Sequence, residues 1–150
     1  MTYPTPNIFY STEGSPPFIP DSITLNNTNE PYLDWLDFIL SQETIPQTIS
    51  TSYGDDEQTV PPEYAKSVCN MFARLGAMGV SILFASGDFG VGGGSCLAND
   101  GTNRVKFIPM FPASCRFLCH FYNKLTVTHA TCLMVVCKAL SSRPLVARSK

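Results

Sequence analysis

Two stretches whose apolar residues recur every three to four positions, each flanked by β-prone runs, constrain this chain more than anything else in it. Tyr32, Trp35, Leu36, Ile39 and Leu40 fall on one helical face. Asn29 is placed to cap that helix. Pro31 fits its first turn, where the missing N–H would have no partner, so a helix is predicted near 31–41. A β-branched run, Ile45 to Ser52, follows and ends at Tyr53-Gly54. Pro62 opens a second predicted helix, near 62–78, with Tyr64, Val68, Met71, Phe72 and Leu75 as its apolar stripe and Gly79 as its stop. The run Val80 to Ala85 then reads as a strand buried on both faces. With Asn7-Ile8-Phe9-Tyr10 as a short opening strand, the order is strand, helix, strand, helix, strand.

Crossover helices of this length imply parallel strands joined right-handedly, so the expected class is α/β, a parallel sheet with flanking helices. In such sheets ligands bind outside the carboxyl ends of the strands. Here those ends are Ser52-Tyr53-Gly54 and Ser86-Gly87-Asp88. A chain of 150 residues, 44% hydrophobic and only 15% charged, can bury a core and is not disordered by composition. No apolar run reaches the roughly 18 residues of a membrane span. A formal net charge of −2 gives no basic footprint, so neither membrane nor nucleic acid is an expected partner. The start, MTYPTPNIFYS, has neither the basic nor the apolar region of a signal peptide.

Asp88 opens a glycine-rich loop running through Gly94. A phosphate cradle would need a helix directly after the glycines, and Ser95 to Gly101 reads as more loop. A P-loop would need a Lys-Ser/Thr pair that is missing, and Asp88-Phe89-Gly90 lacks the other kinase motifs. A surface turn with a solvated Asp is the plain alternative.

Three ordered segments go further: Thr51 to Glu57 (TSYGDDE), Gly79 to Asp88 (GVSILFASGD) and Phe107 to Cys115 (FIPMFPASC). Together they closely resemble the sedolisin family of serine–carboxyl peptidases, in particular fungal tripeptidyl-peptidase-like members, over about residues 3–115. The resemblance implies a subtilisin-like fold, incomplete in this chain. It gives Asp88 the family's oxyanion-hole role, in which a neutral carboxyl donates a hydrogen bond to the developing charge. It makes Ser52, Tyr53 and Gly54, with Ser86 and Gly87, the edge that lines a peptide or protein substrate. For Tyr53 a merely packed aromatic is the alternative. Phe89 is bulkier than the small residue the family often carries there.

The same resemblance implies that the catalytic Glu and Asp, the Gly-Thr-Ser nucleophile and the calcium site lie outside this chain, so no cofactor or metal is expected in it. Ser141-Ser142 lacks the nucleophile's context. Glu30 and Asp34 imitate the spacing of the acid pair but read as a solvated helix face. The expected function is therefore a piece of an acid-active serine-type peptidase, endopeptidase or tripeptidyl peptidase, inactive alone. The alternative is a non-catalytic pseudo-peptidase that binds peptides. An extracellular or lysosomal/vacuolar site is implied, with which the Asn26-Asn27-Thr28 sequon, placing a glycan on Asn26, agrees.

After Cys115 the resemblance stops. Residues 1–115 carry twelve acidic and four basic side chains, whereas 116–150 carry six basic ones and no acid. A retained intron or a frameshift would explain both breaks, so 1–115 is read as a partial peptidase domain and 116–150 as a divergent basic tail. The six cysteines permit fifteen full pairings and the sequence selects none. Cys115, Cys119, His120, His129, Cys132 and Cys137 match no standard zinc spacing.

Overall fold

The computed structural model describes residues 6–88, 96–102 and 104–115. Helix α1 spans Tyr32–Leu40 and helix α2 spans Pro62–Ala77. Strand β1 is Thr48–Thr51, β2 is Asp55–Asp56, β3 is Ser81–Phe84 and β4 is Met110–Phe111. β1 pairs with β3 in parallel, from Thr48 opposite Ser81 to Thr51 opposite Phe84. β2 pairs with β4 antiparallel, Asp55 opposite Phe111 and Asp56 opposite Met110. Helices around a small parallel sheet make the chain α/β, as expected.

Both helices follow from their stripes. α2 begins with Pro62 inside its first turn, carries Glu63 there and Arg74 in its last turn, and so complements its own dipole at both ends. It ends at Gly79, whose φ of +89° is the left-handed turn a glycine takes without cost. Leu36 and Ile39 of α1 and Val68, Phe72 and Leu75 of α2 are fully buried, with Tyr32 nearly so. They close over Ile49 of β1 and Ile82 and Phe84 of β3. Four aromatic rings knit this core edge to face: Tyr32 lies about 6 Å from Phe72, Phe84 and Phe111, and Phe72 lies 4.9 Å from Phe84. A Cys69–Cys115 disulfide ties α2 to the residues after β4.

Several expectations are corrected. Asn29 does not cap α1; the residue before the helix is Pro31, and the first-turn amide of Leu33 donates instead to the Tyr64 hydroxyl at 3.3 Å. Asn29 is instead buried, its amide donating to the carbonyls of Thr59 and Pro17 and its oxygen accepting from the Thr59 hydroxyl. A buried amide has to find such partners, so Asn29 is committed to Thr59 and Pro17. Asn7 to Tyr10 form no strand, and Ile8 and Phe9 are exposed. β3 alternates, with Ile82 and Phe84 buried and Ser81 and Leu83 only partly so, which is the pattern of one buried face rather than two. The most buried side chains lie on the helices. Glu30 precedes α1, so it and Asp34 do not share a helix face. Cys115 is bonded to Cys69 and cannot serve zinc. Phe89, the loop from Gly90 to Ser95 and the whole 116–150 tail lie outside the described residues.

Candidate functional site

β1 and β3 run parallel, so the segments that leave their carboxyl ends emerge side by side. The amide of Ala85 donates to the carbonyl of Thr51 at 3.1 Å, extending the ladder one step beyond the strands. Beyond it lie Ser52-Tyr53-Gly54 on one side and Ser86-Gly87-Asp88 on the other. Ser52, Gly87 and Asp88 are exposed, and Gly54 and Ser86 are partly so. The structure therefore brings together the two loops nominated by topology.

Met110 sits between them, and sequence reasoning gave it no such position. A Cβ on Gly87 would lie 2.9 Å from Met110 Cγ. A Cβ on Gly54 would lie 3.0 Å from the Phe111 carbonyl oxygen and 3.5 Å from Met110 Cε. Both glycines are thus demanded by the close approach of β4. Gly87 also has φ +77°, which L side chains avoid. The two-residue pairing of β2 with β4 brings Met110 to this seat, and no local pattern in the sequence announces it.

Tyr53 is 39% exposed. Its hydroxyl donates to the Thr28 carbonyl at 2.8 Å, fastening the edge to the segment before α1. Thr28 in turn donates its hydroxyl to Asp55 Oδ1 at 3.4 Å. An open groove of about 720 Å³ runs along the same edge, lined by Ser52 and Tyr53, the residues of β1, Tyr32, Trp35 and residues 6–12. Asn26, the sequon residue, is exposed two positions before Thr28.

Behind the edge lie two carboxylates that sequence reasoning left inside a motif. Asp55 and Asp56 are 6% and 7% exposed, and in each one oxygen, Oδ2, is buried with no hydrogen-bond partner among the described residues. Burial pushes the Asp55 carboxyl up to about 6, against the pull of the Thr28 hydroxyl. Burial and the neighbouring Asp21 likewise push Asp56 up to about 6. Tyr32 is raised above its ordinary range by burial and then by Asp55. Such a pair needs no more than the ordinary cost of an uncompensated buried charge to explain it. Among the described residues no three His, Cys, Asp or Glu side chains gather as a metal site requires. No helix there is long and apolar enough to cross a membrane.

No family model matches this sequence, and no solved structure does. Curated proteins do match. The chain is 46% identical over 123 residues to the tripeptidyl-peptidase sed4 of Aspergillus fumigatus, with 79% of this chain and 20% of that protein covered. It is 51% identical over 116 residues to the probable tripeptidyl-peptidase SED3 of Arthroderma benhamiae, covering 74% and 19%. It is 49% identical over 115 residues to the tripeptidyl-peptidase SED2 of Arthroderma otae, covering 73% and 19%. The chain thus spans about one-fifth of the length of the curated relatives it matches. Identity near one-half over three-quarters of the chain places that part of it in the sedolisin family of fungal tripeptidyl-peptidases.

Proposed function

We propose that this chain is a segment of an acid-active serine-type peptidase, within a subtilisin-like domain, that supplies the peptide-binding edge and the oxyanion carboxyl. One observation carries the reading: the two loops that match the family's motifs leave the same ends of paired parallel strands and meet across Met110. In that role Ser52-Tyr53-Gly54 offers extended backbone to a peptide or protein substrate, with Ser86 and Gly87 opposite. Asp88 in its neutral form donates to the oxygen on which charge develops during attack. The reading assigns no metal or organic cofactor to these residues. The relatives' activity further suggests an extracellular or vacuolar site of action.

Covalent acyl transfer also needs an activated nucleophile. By the family resemblance no residue of this chain fills that part, so the segment alone binds without cutting. The test uses the purified 150-residue chain at pH 3–5, about the range across which ordinary carboxyl groups titrate, so that its lower end gives the neutral carboxyl. A tripeptide added in excess should shift the amide resonances of residues 52–54 and 86–88, and a chromogenic tripeptide substrate should show no turnover. Unshifted resonances overturn the peptide edge. Turnover that disappears in Asp88→Ala overturns the claim of inactivity.

A further inference from the structure

β2 is only two residues long, both are aspartates, and both are more than nine-tenths buried. A carboxylate rarely occupies such a place without a cation or a full set of donors. Here Oδ2 of each has no partner among the described residues. The groups that act on them are of the wrong sign or neutral. Asp55 faces the Glu30 carboxyl from the segment before α1 and Tyr32 from the first turn of α1, with the Thr28 hydroxyl, the Glu30 backbone amide and the Tyr53 hydroxyl as its neutral donors, and Asp56 faces Asp21. From β4 come Phe111 and Met110, which carry no charge. The position is costly for two anions and tolerable for two neutral acids.

That position is also a joint. β2 directly continues Ser52-Tyr53-Gly54, and its pairing with β4 holds Gly54 against the Phe111 carbonyl. The same β4 carries the Met110 side chain that abuts Gly87. Whatever seats β2 on β4 therefore sets the spacing of both loops. Asp55 adds a second fastening, because Thr28 bonds both its carboxyl and the Tyr53 hydroxyl.

We propose that Asp55 and Asp56 form a proton-operated clasp behind the 52–54 edge: neutral, they let β2 sit tightly on β4, and ionised, they loosen that seat. Each takes up one proton from solvent on a carboxylate oxygen, and no other bond changes. The clasp bears on function only through the reading of residues 52–54 as a peptide edge, on which it rests. Its sign follows from burial. The folded chain holds protons that the unfolded chain has lost between roughly pH 4 and pH 6, so folding gains stability as pH falls through that window. Asp21, which against the effect of burial is held below its ordinary value by the Thr24 amide, the Gln58 side chain and the Ile23 amide, has the opposite sign.

Hydrogen exchange and urea unfolding of the 150-residue chain at steps from pH 3.5 to 7 test the clasp without any peptide. The wild type should show a rising urea midpoint from about pH 6 down to about pH 4, with protection of the 55–57 amides rising in parallel once corrected for intrinsic rate. In the Asp55→Asn, Asp56→Asn double variant that rise should vanish. A wild-type profile that is flat, or a variant that keeps the rise, overturns the clasp. Where the variant does not fold, carbon-13 titration of the two wild-type carboxyls decides: midpoints near 4 overturn the clasp and midpoints near 6 support it. If peptide fails to bind while the pH profile persists, the peptide edge falls and the clasp stands.

Discussion

Phe72 and Asp56 are both shut away from water, yet they sit in regions built on opposite principles. Phe72 is fully buried among rings and aliphatic side chains of α1, α2, β1 and β3, where the contacts add dispersion and, among the described residues, the Tyr32 hydroxyl is the one polar atom left unmet. Asp56, at the sheet's carboxyl end, is buried with an unpartnered oxygen on the strand that follows Gly54, where an added Cβ on Gly54 or Gly87 would crowd β4. The first region resembles any α/β core and accumulates stability. The second gives stability up, through unpartnered buried carboxyl oxygens and close backbone approach, where β4 meets the two loops. Functional sites are where such local losses concentrate.

The comparison breaks first, and most visibly, in the core. Phe72→Ala removes the ring that meets Tyr32, Trp35 and Phe84 and leaves a cavity that closely packed neighbours cannot fill. The expected cost is about 3–5 kcal/mol, a large share of the stability of a small domain. Urea unfolding of the variant measures it. A loss below about 1 kcal/mol would mean that the helix-packed region is not the stabilising one.

Two glycines sharpen the contrast at the next size of effect. Gly87 and Gly79 both have positive φ, but an added Cβ would meet Met110 at Gly87 and nothing within 4 Å at Gly79. Gly79→Ala should therefore cost only backbone strain, about 1 kcal/mol. Gly87→Ala should cost more, about 1–3 kcal/mol, because strain and crowding combine there. Met110→Ala in the Gly87→Ala background should recover part of that excess. Equal costs at the two glycines would show that β4 does not press on the 86–88 loop.

How far each region was legible in the sequence follows from the same difference. The helices were readable because amphipathic spacing is a local signal that core packing enforces at every turn, as Leu36, Ile39, Phe72 and Leu75 demonstrate. The parallel pairing of β1 and β3 was readable because a crossover helix leaves little choice. Asn7 to Tyr10 misled because β propensity stands for packing against a neighbour, and Phe9 has none that covers it. The β2–β4 pair was invisible: two residues meet two others more than fifty positions away, with no periodicity to read. For the same reason a run of three acids, Asp55 to Glu57, gave no hint that its first two members are buried. The cysteine pairing, open in the sequence, needed the folded distance between α2 and Cys115.

The smallest effect distinguishes the two readings of Tyr53. As a packed aromatic, Tyr53 would contribute through its ring, which Tyr53→Phe preserves. As the fastening of a peptide edge, it works through its hydroxyl, which donates to the Thr28 carbonyl at 2.8 Å beside the Thr28–Asp55 bond. The bond lies at the surface, where water replaces it readily, so its loss should cost only about 0.5–1 kcal/mol of stability. Position is more sensitive than stability here, because Ser52 and Gly54 have no other side-chain tie to the 28–30 segment among the hydrogen bonds of the described residues. Tyr53→Phe should therefore leave the urea midpoint nearly unchanged while speeding exchange at the 52–54 amides and weakening the tripeptide-induced shifts there. If midpoint, exchange and peptide response all stay as in the wild type, the hydroxyl is incidental and Tyr53 is a packed ring.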